Sequence, residues 1–348
     1  MALRGTRAAD HAGSWYTDDA TKLSDELDRW LGQVPASIDE HDLPITSARA
    51  IIAPHAGYQY SGPCAAWAYK SLDLRQAKRV FVLGPSHTYY LRGCALTTFE
   101  KLATPFGDFQ VDSGVLAKLR ETGKFSDIPR HNDVREHSLE MHLPYIWKVL
   151  EKSVGNSHTW PTLVPIMVGD GDGAAERSYG ELLLPYLEDP ENAFVVSSDF
   201  CHWGRNFQFW QYCPGADFTK IRTLSSRAGS QPEGAEPPVH EFIRTLDEAA
   251  FDVIETGVQA DFVEYLHLTD NTICGRHPIS VLMAALELLA AKTGSLALDA
   301  PKGKQKFAFV KYDRSDLART TSDSSRMLFS KLNRWSVDYR AMSGSRTI

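Results

Sequence analysis

The stretch from residue 48 to residue 87 constrains the fold most. Two short β-branched runs, ARAIIAPHAGY at 48–58 and RVFVLGPSH at 79–87, bracket CAAWAYKSL, which predicts a helix. Strand, helix and strand in that order form the repeating unit of α/β sheets. Further apolar strands are predicted at TLVPIMVG (162–169), AFVVSSDF (193–200) and KFAFVKY (306–312). Helices are predicted at DATKLSDELDRWLGQV, SLEMHLPYIWKVLEK, EFIRTLDEAAFDVIE and HPISVLMAALELLAA. The first of these puts Leu23, Leu27, Trp30, Leu31 and Val34 on one helical face. The expected fold is α/β, a single domain over 1–348 with a central mixed, mostly parallel sheet flanked by helices. RAGSQPEGAEPPVH (227–240) has no apolar periodicity and is expected to be a mobile surface loop, and SGSRTI (343–348) a frayed tail.

The formal net charge of −7 argues against a nucleic-acid surface, which needs clustered Lys and Arg to neutralise phosphates. No apolar run approaches the ~20 residues that span a bilayer, so membrane insertion is not expected. The start, MALRGTRAADHAGSWY, lacks the apolar stretch of a secretory signal. Five irregularly spaced cysteines do not form a disulfide framework and suit a reducing compartment, where a thiolate can serve as ligand or nucleophile. A cytoplasmic protein, with a nuclear pool allowed, is the expectation.

Two predicted strands end alike, delivering His55 and His87 just beyond a buried β run. Ligands of open α/β sheets bind beyond the carboxyl ends of strands, and two histidines brought there by neighbouring strands converge on one pocket. Flanking Gly57 and Gly84 permit tight turns. Either histidine alone would more simply bond the turn that ends its strand. The repeated context favours a shared site. A third strand end, AFVVSSDFCHWG, carries Asp199 and His202, an anionic ligand or base beside a general acid/base. The alternative is a polar cap, with Ser198 or Asp199 at the N-cap of a following helix.

NTICGRHPISVLMAALELL presents Cys274 in a turn before an apolar helix, with Arg276 adding positive charge and His277 at the helix start. A thiolate near a helix N-terminus is favoured by the macrodipole. An inert buried cysteine is the alternative. REHSLEMHLPY packs Glu136, His137, Glu140 and His142 into seven residues without any standard zinc spacing. His137 and Glu140 are expected on one helical face, supporting the site or facing a substrate; otherwise the segment is a solvated polar face. VGDGDGAAE satisfies a loose G-x-G-x-x-A string, but its aspartates would repel a pyrophosphate and no clean strand–helix–strand context with a downstream acid follows. It reads as an acidic turn, and no nucleotide cofactor is expected. It fails the calcium-loop pattern too, because Ala174 replaces a ligand.

HAGSWY (11–16), IIAPHAGYQYSG (51–62), GPSH (84–87), EHSLEMHLPY (136–145), VVSSDFCHWG (195–204) and NTICGRHPI (271–279) resemble the motifs of the Memo family, in the family's order. The resemblance runs from about residue 8 to about residue 290. It implies a fold similar to class III extradiol dioxygenases, non-haem iron enzymes whose Fe(II) is held by two histidines and a carboxylate. It places the ligand histidines on His55 and His87, the acid/base histidine on His202, and the carboxylate position on Cys274. Two imidazoles with a thiolate form a softer set, suited to copper or zinc as well as iron. Asp199 would supply a missing oxygen ligand. His137 joins Asp199 and His202 as a catalytic candidate, and Glu140, Arg276 and His277 are expected around them.

Three readings follow from the resemblance. One is a copper- or iron-dependent redox protein, a metal-dependent oxidoreductase if it is an enzyme. Another is a signalling adaptor in cell motility that holds a phosphopeptide or signalling protein in the same crevice. The last is a non-haem iron dioxygenase acting on a small-molecule substrate.

Overall fold

The computed structural model describes residues 3–38, 40–155, 157–224, 237–293 and 306–334. One sheet of nine strands organises them: β1 (Ala50–Ala53), β2 (Arg79–Pro85), β3 (Cys94–Leu96), β4 (Phe125–Asp127), β5 (Thr162–Val168), β6 (Asn192–Ser197), β7 (His202–Gly204), β8 (Lys306–Arg314) and β9 (Ser324–Arg334). Their order is β7-β9-β1-β6-β2-β5-β3-β4, with β8 on the other side of β9. The middle four, β1, β6, β2 and β5, are parallel; β9 and β3 join them antiparallel. The expected mixed α/β sheet in a single domain is what the chain forms.

Ten α-helices among the described residues flank the sheet: α1 (Ala20–Gln33), α2 (Tyr58–Ser71), α3 (Ser113–Glu121), α4 (Arg130–Arg135), α5 (His137–Glu140), α6 (Leu143–Ser153), α7 (Gly173–Glu188), α8 (Val239–Thr256), α9 (Gln259–Thr269) and α10 (Arg276–Lys292). The Asp19 carboxylate caps α1, accepting from the Thr21 and Lys22 amides. The apolar stripe of α1 (Leu23, Leu27, Trp30 and Leu31) is buried, worth about 1.5–3 kcal/mol for each fully buried leucine. No helix among the described residues is long and apolar enough to cross a membrane.

Two expectations need correction. The helix expected over 138–152 is broken into α5 and α6, because Pro144 has no N–H to donate to the Glu140 carbonyl and instead starts a new helix. VGDGDGAAE lies in a true strand–helix–strand unit: β5 and β6 both pair with β2 in parallel, and α7 connects them. Asp172 caps α7 through the Ala175 amide, so the acidic turn serves the helix start. Residues 227–236 of the expected loop, and the tail 343–348, lie outside the described residues; Val239 and His240 already belong to α8.

Register decides where the chemistry goes. Ala53 of β1 sits opposite Ser197 of β6, Val196 of β6 opposite Leu83 of β2, and Pro85 of β2 opposite Val168 of β5. Four strands therefore end on one edge, and the residues just past three of them are His55, His87 and Asp199. Ligand crevices of open parallel sheets form at that edge.

Candidate metal centre

His55 follows β1 and is almost completely buried. Its Nδ1 lies 2.6 Å from the Ser197 hydroxyl, which donates to the Ser138 carbonyl at 2.7 Å. With that proton committed, the hydroxyl can only accept from His55, so the ring carries its proton on Nδ1 and turns a bare Nε2 inward. That Nε2 is 3.2 Å from the Cys274 thiol. Burial, reinforced by neighbouring histidines, holds the His55 pKa well below its ordinary value.

His87 is fixed by another device. The Glu136 carboxylate accepts from its backbone amide at 2.6 Å and from its Nδ1 at 2.9 Å, leaving Nε2 for the cleft. Burial opposes a charge on His87, but hydrogen bonds to Cys274 and Glu136 overcome it and push its pKa up to about 10. Glu136 is desolvated too, yet the same His87 contacts hold it down at about 2. The His87 displacement is the larger because the thiol adds to the carboxylate.

Beyond β6, Asp199 accepts from the His55 amide at 2.9 Å, and its own amide points at the Cys274 sulfur at 3.2 Å. Its second oxygen lies 3.4 Å from Arg326 Nη1 and 4.0 Å from His55 Nε2. Burial raises the Asp199 pKa against the pull of Arg326. No helix follows, so the capping alternative fails: the chain enters β7, and His202 donates from Nδ1 to the Thr272 carbonyl at 2.9 Å. Burial keeps His202 neutral, with a pKa of about 3.

Cys274 precedes α10 as expected. The Gly275 amide donates to the Ser198 hydroxyl at 3.0 Å, drawing this turn against the end of β6. Of the five free cysteines only Cys274 is not buried. His137 opens α5 with its ring stacked on His87, centroids 4.5 Å apart and planes within 13°, and Trp15 covers its neighbourhood at 4.3 Å. Burial lowers the His137 pKa to about 3.

Donor atoms that would suit a metal ion fall into two overlapping groups among the described residues. One is His55, His87 and His137; the other is His55, Asp199 and Cys274. His55 belongs to both. The expected trio of His55, His87 and Cys274 is thus split between them, with Asp199 and His137 as close as the nominated ligands.

Three other expectations fare differently. Glu140 does not line the cleft: it is buried behind His11, whose ring touches His137, and it accepts from Arg7 at 2.8 Å, from the His11 amide and ring at 2.9 and 3.0 Å, and from Tyr16 at 2.9 Å. The solvated-face alternative fails for it as well. His277 lines the cleft edge with Nδ1 held 2.6 Å from Glu176, and Arg276 lines it with its guanidinium on the Ile273 carbonyl at 3.2 Å. The cleft measures about 480 Å³ and has aromatic walls in Trp15, Tyr89, Tyr90 and Phe207. Sequence reasoning missed Ser197, Thr272 and Arg326, and singled out Glu136 without a role. Only Glu136 carried a signal, its place in the dense acidic–histidine segment.

The family model described as "Memo-like protein" matches residues 7–327. "Protein MEMO1" of Xenopus tropicalis is 40% identical over 320 residues, covering 92% of this chain and 94% of that protein. The human "Protein MEMO1" is 38% identical with the same coverage, and the "Protein memo-1 homolog" of Caenorhabditis elegans is 38% identical over 93% of this chain and 83% of its own length. Among solved structures, an uncharacterised Escherichia coli K12 protein matches at 13% identity with a TM-score of 0.42, over 82% of this chain and 99% of that one. The chain belongs to the Memo family.

Proposed function

We propose that this protein binds a redox-active transition metal, copper or iron, through His55, His87 and Cys274, with Asp199 adding an oxygen donor. One observation carries the reading: both imidazoles have Nδ1 committed to a protein acceptor, so their Nε2 atoms face a cleft that also receives a thiol. Metal-binding histidines are oriented in this way, by a hydroxyl, carboxylate or carbonyl on the other ring nitrogen. Zinc would be accepted by the same donors.

When bound, the metal would supply one-electron chemistry and Lewis acidity. The chain's own residues do the rest. His202 and His137, both neutral at pH 7, offer ring nitrogens able to hydrogen-bond a ligand in the cleft. Asp199 and Arg326 balance charge at its floor, and Trp15 and Phe207 limit the entry of water. Metal binding must displace the proton that Glu136 and Cys274 favour on His87, so uptake is expected to release protons. Asp199 also supports a second reading, a non-haem iron dioxygenase, since two histidines with this carboxylate would be an iron-compatible face.

The test is elemental analysis of protein purified without chelator, alongside His55→Ala and Cys274→Ser. Wild type should hold about one equivalent of metal, and each variant less than a third of it. Equal metal in all three, under aerobic and anaerobic purification, would refute the site. Oxygen uptake with Fe(II) and a catechol panel decides between the readings.

A further inference from the structure

Asp247 lies outside the cleft, on α8, in a segment that the sequence marked only as a helix. It is fully buried, and among the described residues no cation pairs with it. A buried carboxylate without a cationic partner is costly, which calls for a reason. Its contacts supply one. Oδ1 accepts from the Cys201 amide at 3.2 Å and from the Asn271 side-chain amide at 3.0 Å, while Oδ2 meets the Tyr312 hydroxyl at 3.3 Å. Asn271 is held further by donating to Tyr265 at 2.8 Å.

Cys201 sits between Asp199 and His202; Asn271 sits three residues before Cys274. These two turns come from chain segments about seventy residues apart, and the cleft needs both. They are stitched at their tips: Thr272 Oγ1 accepts from the His202 amide and donates to the His202 carbonyl, each at 2.8 Å, and the Asp199 amide points at the Cys274 sulfur. At their bases, a single oxygen of Asp247 holds the two together. Resting on the metal-binding reading above, we propose that Asp247 is the positioning residue of the site: its Oδ1 sets the spacing between the turn that presents Asp199 and His202 and the turn that presents Cys274.

The acceptor oxygen, not the charge, performs this task. Asp247→Asn keeps an oxygen for Cys201 and Asn271 and offers an amide to the Tyr312 oxygen, whereas Asp247→Ala leaves two buried N–H groups without a partner. Partners behind ligands typically change metal affinity by 10–100-fold when removed.

The experiment titrates full-length, metal-free protein with Co²⁺, reading affinity and the thiolate-to-cobalt charge-transfer band. In parallel, mass spectrometry follows the rate of Cys274 alkylation by iodoacetamide without metal; the other four cysteines are buried. Asp247→Ala should weaken Co²⁺ binding at least tenfold, dim the band and change the alkylation rate at least threefold. Asp247→Asn should stay within about threefold of wild type in affinity. Wild-type values for Asp247→Ala, or equal damage in Asp247→Asn, would overturn the proposal. If Asp247→Ala does not fold, Asn271→Ala (one tie lost) should shift both readouts and Tyr312→Phe (both ties kept) should not; the reverse would overturn it. A wild type that takes up no Co²⁺ defeats the metal reading, and the alkylation rates alone then decide the fate of Asp247.

Discussion

Replacing Glu136 with glutamine tests how the site is built with a single-atom change. All three groups bonded to this carboxylate are N–H donors: the His87 amide, His87 Nδ1 and the Ser138 amide. A glutamine has one acceptor oxygen, so in either orientation its amide group faces a donor at hydrogen-bond distance. The cost follows from the carboxyl's acidity. Moving it from 4.5 in the unfolded chain to about 2 here favours the charged form by roughly 3 kcal/mol. Glu136 is completely buried, so solvent does not screen this value. Because the folded pKa is depressed, the stabilisation is full above about pH 4.5 and fades as pH falls toward 2, leaving roughly 1 kcal/mol near pH 3.

Urea unfolding of the metal-free protein should therefore show Glu136→Gln less stable by about 3 kcal/mol at pH 7, the gap narrowing in acid. The same variant should bind metal about 10–100-fold more weakly, because one of the two His87 N–H groups that Glu136 holds then faces an amide instead of an acceptor. A variant within about 0.5 kcal/mol of wild type at pH 7, or a gap independent of pH between 3 and 7, would refute the assignment of Glu136 as the ionised partner of His87.

Two further outcomes follow from the same geometry. Ser197→Ala removes the acceptor that keeps the His55 proton on Nδ1; it should lower metal affinity about 10–100-fold and cost about 1–3 kcal/mol in urea unfolding, and unchanged affinity would exclude the tautomer argument. Gly275→Ala would drive a methyl group into Ser198 and the Ser197 carbonyl, so a loss of about 1–3 kcal/mol and a displaced Cys274, visible as altered cobalt charge transfer, are expected. Wild-type stability and spectrum would show that this turn is free to move.

The sequence by itself determined which candidate donors stand at the strand ends. A β-branched run stopped by Pro or Gly and followed by histidine is a local pattern, legible within ten residues, and the parallel sheet carries such ends to one edge. His55, His87, Asp199, His202 and Cys274 were singled out this way or by resemblance; His55, His87, His202 and Cys274 line one cleft, and Asp199 lies against His55 and Cys274. Helix α1 was legible for the same reason, since both its cap and its apolar stripe are short-range.

What tertiary structure alone decided is how each donor is aimed and what surrounds it. The bare Nε2 of His55 depends on Ser197, over 140 positions away, and the floor charge on Arg326, from a strand near the other end of the chain. Glu140 shows the limit most plainly. Helical spacing put it beside His137, and its partner His11 does touch the His137 ring, yet Arg7, His11 and Tyr16 hold the carboxylate out of the cleft. Periodicity gives the face of a helix, not what lies against that face, and a buried carboxylate goes where its hydrogen-bond donors are.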